Sequence, residues 1–174
     1  MNWLQSIGYE AAISIASLVI AIIALWFAYI SWSRQFRPIV SAAVRTKAGG
    51  GTIICYDLVL VNSGAVPAKN IQINQGGEFE GYLGCDATSD NIKRWLSCFK
   101  PETKILYLRN GERDSCSFGT SQGEDAGFWK YGATFDIELT YEGWFGRKFK
   151  EKQQLRIQDS NSFTGFHWGE PTKA

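Results

Sequence analysis

AAISIASLVIAIIALWFAYISW, residues Ala11–Trp32, carries no charged side chain and almost no strongly polar one. A helix rises about 1.5 Å per residue, so about 20 such residues cross the roughly 30 Å hydrocarbon core of a bilayer. A small globular domain has no use for a terminal helix that is apolar on every side. The stretch is therefore read as a transmembrane helix over residues 11–33, behind an N-terminal flank, 1–10. Two other readings compete with it, a cleaved secretory signal and a buried core helix. Cleavable signals have a basic n-region, an apolar stretch of about 7–15 residues and a small-residue cleavage site. Here MNWLQSIGYE holds no Lys or Arg, and the run ends in the bulky rings Trp26, Phe27, Tyr29 and Trp32.

Working outward, Trp3 and Tyr9 flank one end of the run and Tyr29 and Trp32 the other. Amphipathic rings of this kind settle at the head-group level. Before the run stand only the α-amino group and Glu10; after it come Arg34, Arg37, Arg45 and Lys47. Positive residues near a span end stay in the cytoplasm. The expected topology is a single pass through the inner (plasma) membrane, N-terminus outside and the larger C-terminal part cytoplasmic. Ser17, Ala21, Ala24 and Ala28 recur at intervals of three and four and share one helical face. Small side chains at that spacing permit close helix–helix approach, and hence a homo-oligomer through the helix.

Beyond the span about 140 residues remain, enough for one domain with a real core. The formal net charge is +1 and the two signs are mixed. No basic stripe suits a phosphate backbone, so nucleic acid is not expected as a partner. Frequent Val, Ile, Tyr, Phe and Thr favour strands. Arg37-Pro38 ends the helix, because the residue before proline is pushed out of the helical region. PIVSAAVRT (38–46) reads as a strand, AGGG (48–51) as a turn and TIICYDLVLVN (52–62) as a central strand, apolar on both faces. NSGAVPAKN (62–70) is a loop in which Asn62 can bond its own backbone and Pro67 fixes φ. NIQINQ (70–75) alternates, with Ile71 and Ile73 on one face.

From Gly76 the chain is irregular until SDNIKRWLSCF (89–99), read as a short helix capped by Ser89 or Asp90, with Ile92, Trp95, Leu96 and Phe99 on its apolar side. KILYLR (104–109) reads as a strand turning at Asn110-Gly111 into a partner strand, Asp114–Phe118. Ser121–Gly127 is a polar loop. ATFDIELTY (133–141) alternates strictly, EGWFG (142–146) turns the chain and RKFKEKQQLRI (147–157) returns as a hairpin. Residues 158–174 are read as a loose tail. About seven short strands with frequent turns imply a two-sheet sandwich over residues 38–157.

A helix followed by RxxRP, then LVLVNSGAVPAKNIQI, YLRNGERDSCSF and DIELTYEGWFGRKFKE, resembles a group of bacterial and phage membrane-anchored proteins of unknown function. The resemblance spans Ala11–Ile157. It implies an immunoglobulin-like β-sandwich as the soluble part and implies no activity. The N-x-G-x-x-P-A element then reads as a fold-determining loop crossing between sheets, with Ala68 packed where the chain re-enters the core. The stretch Gly76–Pro101 is longer than a plain connection, which marks it as the first place to look for a partner.

Chemistry-bearing patterns are sparse. Cys55, Cys85, Cys98 and Cys116 form no CxxC pair, which speaks against a zinc knuckle. In a reducing compartment they act as small core residues; Cys85 and Cys98 are the pair to test for a bridge. Asp86, Asp90, Glu124 and Asp125 lie in loops without a D-x-D-x-D-G calcium pattern. His167 is the single histidine, in FHWG, with no partners for a triad. P-loop, GxSxG and HExxH patterns do not occur. No cofactor, metal or catalytic residue is expected. Tyr82, Trp95, Trp129, Tyr131, Trp144, Phe145 and Trp168 fall in loops or at their edges, where aromatics serve recognition or plug the sandwich ends. Trp95, Trp144 and Phe145 are the candidate partner-binding residues. The expectation is a non-enzymatic, membrane-tethered β-sandwich module that recognises an unidentified protein partner. The rival readings are an extracytoplasmic adhesin-type accessory protein with disulfides, a membrane effector whose helices oligomerise, and a hydrolase without a recognisable motif.

Overall fold

Pro38 divides the chain into two compact units, residues 1–37 and 38–174. The structure, a computed structural model, describes residues 3–158, without the side chains of residues 3–9, Glu124 and Phe145. The expected tail, with His167 and Trp168, lies outside the described residues apart from its first residue, Gln158.

The first unit is one helix, α1, Trp3–Gln35. Its segment Glu10–Gln35 is long and apolar enough to cross a membrane, and none of the residues in its most apolar stretch is buried in protein. Three serines inside it satisfy their hydroxyls locally: Ser14 donates to the Glu10 carbonyl, Ser17 to the Ile13 carbonyl and Ser33 to the Ile30 carbonyl, each at 2.9 Å. That is how a helix keeps polar atoms out of an apolar solvent.

The second unit holds seven antiparallel strands: β1 Val40–Gly50, β2 Ile53–Asn62, β3 Ala68–Gln75, β4 Ile105–Leu108, β5 Arg113–Gln122, β6 Thr134–Glu142 and β7 Lys148–Arg156. One sheet has the order β1-β2-β5, the other β4-β3-β6-β7. The chain changes sheet after β2, β4 and β5, the Greek-key connectivity of an immunoglobulin-like sandwich. The strict alternation of β6 puts Phe135, Ile137, Leu139 and Tyr141 in the core; β2 contributes Tyr56, Leu58 and Leu60, and β3 Ile71 and Ile73. β2 is central in its sheet, as its two-sided apolar pattern requires.

Three local expectations are corrected. The AGGG stretch is mostly strand: β1 runs to Gly50 and the hairpin turns in two residues, with Gly51 at φ +60. A two-residue turn with glycine first matches the twist of its flanking strands. Asn110-Gly111 does not make a hairpin. β4 pairs with β3 and β5 with β2, so this turn carries the chain between sheets. The Glu112 N–H donates to the Arg109 carbonyl at 3.1 Å with Gly111 third in the turn at φ +73. That is a type II requirement, whereas the hairpin type I′ needs two consecutive left-handed residues. Finally, β5 continues to Gln122, through the start of the expected polar loop.

The loop Asn62–Ala68 crosses between sheets, and Ala68 is fully buried where the chain re-enters. Asn62 is the hub. Its Oδ1 accepts from Gly64 N–H (3.0 Å) and Ile39 N–H (3.3 Å); its Nδ2 donates to the carbonyls of Val66 (2.8 Å) and Leu108 (3.1 Å). The turn at Trp144–Gly146 lies at this same, chain-entry end, since Gly143 packs on Pro38.

At the far end the β3–β4 and β5–β6 connections bond to each other. Gly84 N–H donates to the Phe128 carbonyl, Cys85 N–H to Asp125 and Lys130 N–H to Tyr82, at 2.8–3.0 Å. They deliver Phe79, Phe128 and Trp129 to an aromatic cluster with Phe118 and Phe135.

Candidate functional site

The two open sides of a sandwich are where its sheets fail to meet, and here they are finished differently. Between β1 and β7, Gln153 acts as a side-chain substitute for a strand: its Oε1 accepts from Ala42 N–H at 2.8 Å and its Nε2 donates to the Val40 carbonyl at 3.0 Å. Between β4 and β5 no such bridge occurs among the described residues. β4 is only four residues long, and the β3–β4 insertion runs past this opening before β4 begins.

The result is a cleft of about 220 Å³, floored by Leu58, Leu60, Ile71 and Ile73 and rimmed by Cys98, Ile105 and Cys116. Register explains the last of these. Cys116 lies opposite Leu58 and shares its inward face with Phe118, yet it sits on the edge strand and stays exposed. Cys98 comes from the insertion, on a 3-10 turn, Ser97–Phe99, that follows the helix α2, Ser89–Trp95. It is buried. Both thiols line this cleft, and the Cys98 thiol donates to the Trp95 carbonyl at 3.9 Å. The interaction with Cys116, together with burial, pushes the Cys98 thiol far up; the same interaction holds Cys116 below the ordinary thiol value of 9.0, against partial desolvation in the cleft and the charges of Asp114 and Asp57. Cys98 thus faces Cys116 and not Cys85, and all four thiols are free.

The helix α2 is capped by Thr88, whose Oγ1 accepts from Asn91 N–H, one residue earlier than Ser89. Its apolar side is as the spacing predicts: Ile92, Trp95, Leu96 and Phe99 pack against the core. Trp95 is half-buried, with the Arg94 guanidinium 4.6 Å over its ring. Trp144 is 46% exposed in the β6–β7 turn. The Phe145 side chain lies outside the described residues. Trp95 and Trp144 belong to separate elements, the insertion and the entry-end turn, and the fold does not merge them into one surface. Trp129, grouped by sequence with the loop aromatics, is fully buried at the centre of the aromatic cluster. On α1, Ser17, Ala21, Ala24 and Ala28 share one exposed face, within an arc of about 60° at 100° per residue.

A second concavity, about 530 Å³, lies on the outer face of the four-stranded sheet, among Asn70, Gln72, Thr140, Lys104, Lys148 and Lys150. Lys150 is already paired with Glu138 at 2.9 Å. Among the described residues no three His, Cys, Asp or Glu side chains converge as a metal site.

Residues 8–161 match the model of a family described as a domain of unknown function, DUF8453. The chain belongs to DUF8453. The match takes in nearly all of α1 together with all seven strands. No curated protein matches the chain.

Sequence reading missed the cleft because it paired β4 with β5. The signal was nevertheless present: in Asp114-Ser-Cys-Ser-Phe118, period-2 alternation puts Cys116 on the same face as Phe118.

Proposed function

We propose that this DUF8453 protein is a non-enzymatic interaction module, tethered in the inner membrane by α1, whose sandwich lies in the cytoplasm and recognises a protein partner near the bilayer. The observation that carries this reading is the helix itself: an apolar segment whose most apolar stretch holds no buried residue, followed from Pro38 by a domain that builds its own core. Uncovered apolar surface of that length is solvated by lipid. Tethering then raises the domain's effective concentration for any partner in the same membrane. The buried polar side chains support a non-catalytic role, because they serve the fold: Asn62 holds loops and Ser121 bonds Tyr56 at 2.7 Å. Recognition is assigned to the insertion surface around Trp95 and to the Trp144–Phe145 turn. Self-association through Ser17, Ala21, Ala24 and Ala28 rests on close packing alone, since the Ser17 hydroxyl is used within its own helix.

Deleting Gly76–Pro101 is not a clean test, because Phe79 and Cys98 belong to the core. Photo-crosslinking residues placed singly at positions 95 and 144 of the full chain, in native membranes, are better. The reading expects one protein, not lipid alone, captured reproducibly from at least one position. Full-length protein that purifies as a soluble monomer without detergent ends the membrane reading; crosslinks to lipid alone from both positions end the partner reading. Chemical crosslinking in membranes, with Ala24→Leu as the comparison, separates the helix-mediated oligomer: only monomers in the unaltered chain would exclude it.

A further inference from the structure

The cleft between β4 and β5 brings together two sulfurs from elements far apart in role, one on the insertion and one on a sheet edge. Cys98 is buried on the 3-10 turn of the insertion, where the neighbouring Phe99 ring packs 6.0 Å from that of Phe118; Cys116, two residues before Phe118 on β5, is exposed, inward-facing and lines the same cleft as Cys98. The other two cysteines have no such neighbour. Cys55 is half-buried on the outward-facing side of β2, and Cys85 lies in the exposed far-end connection. From this placement we infer that Cys98 and Cys116 form a reversible disulfide, made by exchange with a glutathione-type disulfide, that staples the β3–β4 insertion to β5 across the mouth of the cleft.

The roles follow from access. An incoming disulfide reaches Cys116, whose thiolate is the nucleophile. Cys116 sulfur attacks one sulfur of the reagent, the reagent's S–S bond breaks, and one thiolate leaves with its electron pair. A mixed disulfide stands on Cys116. Cys98 gives up its proton to solvent and attacks the Cys116 sulfur, expelling the second reagent thiolate. Two protein thiols are oxidised, one reagent disulfide is reduced to two thiols, and no other co-reactant is needed. Both thiols open onto one cleft, which places Cys98 for the second step; Asp114 and Asp57 are the charged groups that act on Cys116.

The closed loop encloses β4, the most weakly held strand of its sheet, paired at Ala68–Leu108, Lys69–Tyr107 and Ile71–Ile105. Its Leu106 and Tyr107 are 73% and 47% exposed. A staple at both ends of the segment restricts how far β4 and the insertion can open.

The test uses the full-length protein in mild detergent, equilibrated with mixtures of oxidised and reduced glutathione, quenched with a maleimide and mapped by mass spectrometry. The expected result is the joint loss of two of the four thiols, one linked peptide pair containing Cys98 and Cys116, and full recovery with dithiothreitol. Cys98→Ser should instead accumulate glutathione on Cys116. Amides of β4 should exchange about tenfold more slowly in the oxidised form. Glutathione resting on Cys116 in the unaltered protein, a link between Cys85 and Cys98, or β4 exchange that ignores oxidation would overturn the inference.

Discussion

The side-chain amide of Asn62 donates to the Leu108 carbonyl at 3.1 Å, joining the end of β2 in one sheet to the end of β4 in the other. The same side chain serves Val66, Gly64 and Ile39, so one buried residue satisfies two donors and two acceptors of the backbone. Loss of a partner leaves buried polar groups unpaired, at about 1–3 kcal/mol each where water cannot reach them. Asn62→Ala is expected to destabilise the sandwich by about 3 kcal/mol, and Asn62→Asp by at least as much, since its carboxylate would face two carbonyls. Denaturant unfolding followed by tryptophan fluorescence measures both. A midpoint unchanged in Asn62→Ala would show that the crossing loop is held by something else.

Gly119 sits at an irregularity in the β2–β5 register, with φ +87. A Cβ there would lie 2.8 Å from Phe128 Cδ1 and 3.2 Å from Trp129 Nε1. Left-handed strain and overpacking add, so Gly119→Ala should cost about 2–4 kcal/mol. Gly111 is the control. Its φ is +73 but nothing lies within 4 Å of its would-be Cβ, so Gly111→Ala should cost only about 1 kcal/mol. Equal losses in the two variants would remove packing from the explanation.

Legibility followed the range of the forces. β6 and β7 were readable to within a residue or two because alternation against one buried face is a local pattern, and the hairpin between them is closed by neighbours in sequence. The span was readable because its apolarity needs no partner. Asn62 was visible as a loop residue, but its tie to Leu108 crosses 46 positions and left no local trace. The turn at Asn110-Gly111 misled for a related reason. Its composition fits two turn types, and only the pairing of β4 with β3 decides between them. With that pairing wrong, Cys116 was assigned to the wrong sheet and its meeting with Cys98 could not be foreseen. For Trp129 the sequence left recognition and plugging the sandwich end both open; the structure takes the second, burying the ring with its indole N–H donating to the Phe118 carbonyl, a contact across 11 positions that polar neighbours on either side conceal.

Gln153 closes the β1–β7 side with two hydrogen bonds to β1 backbone. Edge strands leave such groups to solvent, and a side-chain amide is a local cover for them. Gln153→Ala should lower stability by about 1–2 kcal/mol. It should also accelerate hydrogen exchange at Ala42 N–H far more than at Val44 N–H. Uniform acceleration along β1 would mean global destabilisation and not the loss of a specific cover.

Cys116 offers a pH test whose two arms point in opposite directions. Its thiol is held below the ordinary value by its interaction with Cys98, while desolvation and the charges of Asp114 and Asp57 push it up. A lowered value means more thiolate at neutral pH, so Cys116 should be alkylated faster than Cys85 at pH 7, with its rate levelling off at a lower pH. Cys98→Ala removes that neighbour, so the Cys116 profile should move to higher pH and its rate at pH 7 should fall severalfold. Asp114→Asn removes a negative neighbour, so the profile should move to lower pH and the rate at pH 7 should rise. Iodoacetamide labelling read peptide by peptide separates Cys116 from the other thiols. If both substitutions shift it the same way, the effect is a general opening of the cleft; opposite shifts require the Cys98 thiol and the Asp114 charge to act on the Cys116 sulfur itself.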